Sequence, residues 1–530
     1  MPGRLVLRNA RVFHPKTPRL DRGLSDVVCQ HGRIIEVRPA QRKAPPCLGS
    51  DVDLKGAVLM PAFVDGHTHF VDYSLRLTQL DLREAKTPEK MLEAVRGRTE
   101  GLDVGQWIRG GGWHKDRFGG RFPIRQELDA ITGKIPTALT SYCSHLLWVN
   151  SEVLERAGIT RNTADPEGGK IIRDAAGNPT GVFLETACDL VKPHIPKPDQ
   201  EAIKAALSIG IPQMFSLGIT STHTFGVGFG DVSGREEYAA YQSLRDNGQL
   251  NFRIRMGFLF RDLELALAAR VEEDDRFSVL GTKFISDGTL GAQTALTFKP
   301  YNGTFSCGEE VIPRDQLIEE VVESARHGFP AAIHAIGERA NKNAIDAIEA
   351  SRSIDPNLRS RIEHVQLLRT HELRRIAWLG IIASMQPSQL PDDISTANEF
   401  LGRRARRAYR MREMYEARVT LAFSSDAPIE TPNPMKGLFA ATQRTRLDGT
   451  PRGGWYPNQR LTLKQALGAY IYGNAYAACR EKVEGAVKPG YIADLVVLRP
   501  DFFKIPAPDL LSTRPLLTIF DGGVVYENFN

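Results

Sequence analysis

The chain has 530 residues, more than one hydrophobic core ordinarily organises, so one large domain with a smaller companion is expected. Hydrophobic residues make up 42% and charged residues 25%, with 47 Gly and 32 Pro, which excludes collagen-like, disordered and low-complexity classes. A net charge of +5, from 68 basic and 63 acidic residues, is too dilute over this length to mark a binder of nucleic acid or membrane.

The first sixty residues hold short β-like runs, "RLVLRNARVF", "DVVCQHGRIIEVRP" and "GAVLM", whose alternation suits a half-buried sheet. The runs "KPGYIADLVVLRP" and "LLTIFDGGVVYEN" near the other end repeat that texture. Because chain ends often lie close together, residues 1–60 and 485–530 are expected to build one small β-sandwich domain. The start, "MPGRLVLRNARVF", lacks the charged and apolar blocks of a secretion signal, and no window reaches the length of a membrane span. Cys29, Cys47, Cys143, Cys188, Cys307 and Cys479 lie far apart with no CxxC pair. A reduced, cytoplasmic setting is therefore expected.

Between the ends, residues 61–484 alternate short apolar runs with longer amphipathic segments, the pattern of βα units around a parallel sheet. Eight strands are predicted: 62–67, 137–142, 218–223, 281–286, 330–335, 361–366, 381–386 and 420–425. Eight such units close most economically into an α/β fold of the (β/α)8 barrel type, TIM-like, with catalytic groups at the C-terminal strand ends. The stretches 70–135 and 145–205 exceed ordinary connections and are expected to be insertions covering the barrel mouth.

Chemistry-bearing residues fall at those strand ends. In "PAFVDGHTHF", His67 and His69 stand two apart, so both imidazoles project the same way from one strand edge. Alone, they are nearly as well explained as two loop histidines. His334 ends "FPAAIHAIGERA" and His364 ends "SRIEHVQLL", and either, taken separately, could be a core histidine. Asp426 follows another apolar run in "LAFSSDAPIETP". Four imidazoles and a carboxylate converging on one barrel mouth suit zinc and similar divalent ions, and the lack of cysteine pairs argues against a closed zinc finger.

These segments resemble the amidohydrolase superfamily, and within it the amidohydrolase-3, YtcJ-like branch. "PAFVDGHTH" is similar to its HxH motif, "HAIGERANKNAID", "RIEHVQLL" and "LAFSSDAPIETPNPMKGLFAA" to its fifth-, sixth- and eighth-strand motifs, and "GAVKPGYIADLVVL" to its C-terminal signature. The resemblance covers nearly the whole chain. It implies one or two divalent ions, zinc foremost, held by His67, His69, Lys283, His334 and His364. Lys283, in "GTKFISDGTLGAQTA", fills the fourth-strand position where family members can carry a carbamate formed from carbon dioxide, which needs a neutral amine of the kind burial promotes. Asp426 is implied as the group that moves protons.

On the substrate side, "QWIRGGGWHKDRF" puts Trp113 near the pocket by the same resemblance, with His114 where relatives usually have aspartate. "SHLLWVNSEVLERAGI" makes His145 a candidate for the scissile carbonyl or an oxyanion, behind a departure at Cys143. "GITSTHTFG" keeps His223 as a substrate contact but has Thr224 for the usual aspartate. Asp287, before Gly288, would orient a ligand histidine or a substrate amine, with a structural turn as the equal alternative; Glu185, in "GVFLETA", is similar to a branch glutamate in the insertion, with lid contact and surface charge as equal alternatives.

The basic run 403–418, with Arg403, Arg404, Arg406, Arg407 and Arg410, reads as one amphipathic helix with a solvated face. Neither a phosphate-binding glycine loop nor a nucleophile elbow is recognisable. The implied function is hydrolysis of a non-peptide C–N bond, in an N-substituted amide, formamide or cyclic amide, by metal-activated water; the branch includes deformylases of substituted formamides. Two other readings compete. A mononuclear deaminase would need a glutamate three residues after the fifth-strand histidine, whereas Glu338 lies four after His334. A noncatalytic regulatory protein on the same barrel would have little reason to retain the strand-end set. The expected partner is a small-molecule substrate, without nucleic acid or membrane, and the expected assembly is a homodimer.

Overall fold

The computed structural model describes residues 3–40, 51–102, 105–142, 145–227 and 231–529, so Cys47 and Cys143 lie outside the described residues. The chain divides into two compact units, Met1–Tyr73 with Gly210–Asn530, and Ser74–Ile209.

The larger unit is organised by eight parallel strands: β1 (Phe63–Thr68), β2 (Ile219–Gly226), β3 (Arg253–Leu259), β4 (Phe277–Ile285), β5 (Ala331–Ala335), β6 (Arg361–His364), β7 (Ile382–Met385) and β8 (Leu421–Phe423). Each pairs with the next in sequence order. Most of their residues are buried, as expected of strands with side chains inside a barrel on one face and helices on the other. The ring closes where Thr68 bridges Ala427 in parallel, with the Asp426 N–H donating to the His67 carbonyl at 2.8 Å. Asn474 Nδ2 reinforces the seam by donating to the carbonyls of Val64 and Phe423, each at 2.8 Å. A Cβ on Gly66 would lie 2.2 Å from Asn474 Oδ1, so only glycine lets this amide reach the seam.

Two expectations need correction. The run at 137–142 forms a strand, Thr137–Ser141, but it belongs to the smaller unit, between Ile108–Trp113 and Leu146–Val149. The barrel strand that replaces it is β3, "RIRMGFL", hidden in the sequence because two arginines interrupt its apolar pattern. Both are buried and neutralised: Arg253 donates twice to Asp494 at 2.8 Å, and Arg255 Nη2 to Glu484 at 2.7 Å. Such pairs offset the desolvation that would otherwise keep arginine out of a barrel wall.

Strands from both ends share one nine-stranded sheet, in which Val58–Pro61 pairs in parallel with Leu5–His14 and antiparallel with Leu495–Leu498. Leu7, Val27, Ile34, Leu59, Leu495 and Val497 build its core. The smaller unit has a six-stranded sheet and its own core around Trp113, Trp148, Leu128 and Leu139. Residues 74–135 and 145–205 are thus parts of one packed body rather than two separate loops, and residues 70–73 stay with the larger unit. Among the described residues, no helix is long and apolar enough to cross a membrane.

The basic run after β7 is also not one helix. It breaks into Gly402–Arg407 and Met411–Glu416 around Tyr409, whose φ is 50°. Three of its arginines bond inward, Arg404 to the carbonyl of Lys299, Arg407 to Glu338, and Arg410 to Glu413 and the Leu368 carbonyl, while Arg403 and Arg406 are exposed.

Candidate metal centre

Five strand ends of the barrel bring His67, His69, Lys283, His334, His364 and Asp426 onto one cavity of about 540 Å³. His67 and His69 leave β1 on the same side, and Asp426 joins them from the residues after β8. One ligand atom from each of these three lies within 4.8 Å of the others. The His67 and His69 Nε2 atoms are 3.6 and 3.4 Å from Asp426 Oδ1. Gln389 Nε2 donates to the other Asp426 oxygen at 3.1 Å.

His67 is aimed by Glu363, whose Oε2 is 2.6 Å from His67 Nδ1, so the ring donates from Nδ1 and keeps Nε2 as a lone-pair donor to the cavity. Arg361 anchors Glu363 through both oxygens, and also donates to the Gly66 carbonyl and Ser384 Oγ, each at 2.6 Å. Glu363 and His364 are neighbours on β6, and strand alternation would send them to opposite faces. Left-handed φ values at His364 (72°) and Val365 (44°) turn the second imidazole back inward. It packs 4.5 Å from the His334 ring and 5.2 Å from the His67 ring, centroid to centroid. Asp426 is likewise left-handed, at φ 65°. Strained non-glycine backbone at two strand ends of one cavity marks positions selected for where the side chain points.

Burial sets the electrostatics. It pushes His67 and His334 down to about 4, with Lys283 adding to the effect, and His364 well below its ordinary value, with His334 next in importance. Neutral imidazole is the form that coordinates a metal. Lys283 is lowered by burial to about 8; its Nζ lies 4.4 Å from the centre of the Phe225 ring and makes no ion pair among the described residues. Burial opposes ionisation of Asp426, but hydrogen bonding to His69 and the positive charge that His67 and His364 gain when protonated in acid outweigh it and hold the carboxyl below the usual range.

The residues fit a divalent ion. His364 Nδ1 is buried without a hydrogen-bond partner, a costly state unless a ligand completes it. The donor set of neutral imidazoles and a carboxylate is the type that zinc, manganese, iron or nickel accepts.

The other expected residues fare differently. Asp287 lines the cavity, but its oxygens accept three backbone N–H groups, from Leu296, Ile336 and Gly337 at 2.8 to 3.0 Å, which clamp the loops after β4 and β5. Its carboxylate also lies 3.5 Å from His334 Nε2, so the same side chain that closes the turn also faces a histidine of the cavity. His223 is not a substrate contact: its Nδ1 accepts from Arg361 at 2.9 Å inside the barrel. Neither is Trp113, which is fully buried in the core of the smaller unit and donates to the Leu139 carbonyl at 2.8 Å.

His114 caps the short helix Lys115–Phe118, its Nδ1 accepting from the Asp116 N–H. His145 is exposed on the smaller unit, 3.5 Å from Glu185. Thr224 donates to Glu237 at 2.7 Å, so a carboxylate stands beside the substituted position after all, raised to about 7 by burial. Glu338 pairs with Arg407 at 3.0 Å and is not among the residues that line the cavity.

Glu363, Arg361, Gln366, Gln389, Asp393 and Glu430 escaped sequence reasoning. Only Glu363 carried a signal, an acid directly before a strand-end histidine.

A family model described as "Amidohydrolase family" matches residues 51–526. YtcJ of Bacillus subtilis (strain 168) is 30% identical over 492 residues, covering 90% of each chain. The N-substituted formamide deformylase of Arthrobacter pascens is 26% identical over 497 residues, again 90% of each. Among solved structures, an uncharacterized metal-dependent hydrolase from Pyrococcus horikoshii superposes with a TM-score of 0.78 at 27% identity, over 95% of this chain and 99% of that one.

Proposed function

Because the chain belongs to the amidohydrolase family, we propose that it is a metal-dependent hydrolase that cleaves a non-peptide C–N bond in an N-substituted amide, formamide or cyclic amide. The observation that carries this reading is the convergence of three buried imidazoles, the half-buried His334, Lys283 and Asp426 on one cavity. His67, His69, Lys283, His334 and His364 would hold one or two divalent ions, zinc foremost, with Lys283 contributing as the free amine or as its carbamate. When bound, the ion supplies Lewis acidity that makes water a better nucleophile and polarises a carbonyl oxygen.

The chain's own groups do the rest. Asp426, held ionised between His69 and Gln389, accepts a proton from the attacking water on its carboxylate and returns it to the leaving nitrogen. Glu363 fixes the tautomer of His67, and Arg361 keeps Glu363 ionised and in place. Val227, Ile285, Leu290, Ile336 and Ile429 give the cavity an apolar wall that limits competing water.

Metal content by plasma mass spectrometry on protein purified without chelator, followed by a screen of N-formyl and N-acyl amines, tests the reading. The expected result is one or two ions per chain and turnover that chelation abolishes and added metal restores. No bound metal after reconstitution with zinc or manganese would overturn it.

A further inference from the structure

Away from the histidines, the residues after β6, β7 and β8 give the cavity a polar wall rich in hydrogen-bond acceptors: Gln366, Asp392, Asp393, Asp426 and Glu430. Gln366 is only 4% exposed and follows β6. Its Nε2 donates to Asp393 Oδ2 and to Tyr409 Oη, the latter at 2.6 Å, while the Tyr409 hydroxyl itself donates to Asp393 Oδ2. A carboxylate cannot donate, so this closed ring fixes the amide orientation and consumes both Gln366 N–H groups. Gln366 Oε1 and Asp393 Oδ1 are left without partners among the described residues, on side chains that line the cavity.

Charge points the same way. Asp392, Asp393 and Glu430 line the cavity. One ammonium stands against them, Lys436, 2.7 Å from Glu430 and 3.8 Å from Asp392. Among the described lining residues the only cation is Lys283, which the metal side uses. A substrate carboxylate would meet three carboxylates and the bare Gln366 Oε1. A substrate ammonium would find unused acceptors and uncompensated negative charge beside an apolar wall that accommodates a methylene chain.

Resting on the C–N hydrolase reading, we propose that the substrate class is the mono-N-acylated diamine: an amide whose amine portion ends in a second, free ammonium group bound by Gln366 Oε1, Asp393 and the Asp392–Glu430 pair. Water cleaves the acyl C–N bond, the acyl group leaves as a carboxylate, and the leaving nitrogen takes up the proton, giving a free diamine.

The test uses the full-length, metal-loaded protein. Calorimetric titration with 1,4-diaminobutane, butylamine and 4-aminobutanoate reads the amine subsite without needing turnover; hydrolysis of their mono-N-acetyl derivatives reads the reaction. The diamine is expected to bind about tenfold more tightly than butylamine, and 4-aminobutanoate more weakly than both. Asp393→Asn and Glu430→Gln are each expected to erase most of that preference. Asp392→Asn, at a side chain 77% exposed and so safe for folding, should reduce it in part. Equal binding of diamine and butylamine, binding of none of the three, or a preference that survives all three substitutions overturns the proposal. Preferential diamine binding without hydrolysis of any derivative would instead count against the C–N hydrolase reading alone, and hydrolysis without preference against the ammonium subsite alone.

Discussion

Asp426→Asn lowers kcat by about 10²- to 10⁴-fold, the span of a lost general acid–base group, and leaves the metal content per chain unchanged. The substitution is nearly isosteric and retains an oxygen that can accept from Gln389, whose Nε2 is 3.1 Å from the native carboxylate. What it removes is a base. The carboxyl is kept ionised by His69, His67 and His364 against the pull of burial, whereas an amide cannot take a proton near neutral pH. The backbone at Asp426 is left-handed, a conformation asparagine tolerates as well as aspartate, so no new strain is introduced. Turnover assays paired with plasma mass spectrometry separate the outcomes. Lost turnover with intact metal supports the proton role; unchanged turnover removes Asp426 from the mechanism; loss of both makes it a ligand instead.

The second large effect is on Lys283. Lys283→Ala is expected to leave at most one ion per chain, with partial recovery of the second in short carboxylic acids such as acetate if a carbamate bridges two ions in the native protein. The amine is 3% exposed and makes no ion pair among the described residues, so the fold derives no electrostatic benefit from it without a ligand. Full occupancy in this variant would show that Lys283 is not a ligand.

A stability measurement on metal-free protein checks the same residue independently. Its folded value of about 8 lies below the ordinary 10.5, so the unfolded chain binds the proton more tightly. Stability therefore rises with pH between about 8 and 10.5, and the penalty is fully present below that window. Lys283→Met, which keeps the volume, should flatten that rise in chemical denaturation curves and raise stability at pH 7. A slope unchanged by the substitution would mean that other groups carry it.

Much of the site could be read from the chain because it obeys local rules. His67 and His69 end an apolar run two residues apart, and His334, His364 and Asp426 each close or follow another, so their convergence required only that the runs be neighbouring parallel strands. The barrel was legible for the same reason, yet its membership was not. Thr137–Ser141 and Arg253–Leu259 show why: a short run such as TALTS looks alike in any sheet, and a strand with two arginines looks like none until Asp494 and Glu484, more than 200 residues away, are seen to neutralise them. Trp113 failed similarly, since an aromatic beside glycines suits a pocket or a core equally well, and only its complete burial decides.

What the sequence by itself determined is the chemistry available: donor types, their order on the strands, and a chain pattern that closes as a (β/α)8 barrel. Only the tertiary structure decided which donors stay unpaired. The turn of His364 back toward His67, the clamp that occupies Asp287, and the ring of hydrogen bonds that exposes Gln366 Oε1 all depend on partners distant along the chain. Hydrogen-bond saturation is a property of three-dimensional neighbours, and no local pattern of residues encodes it.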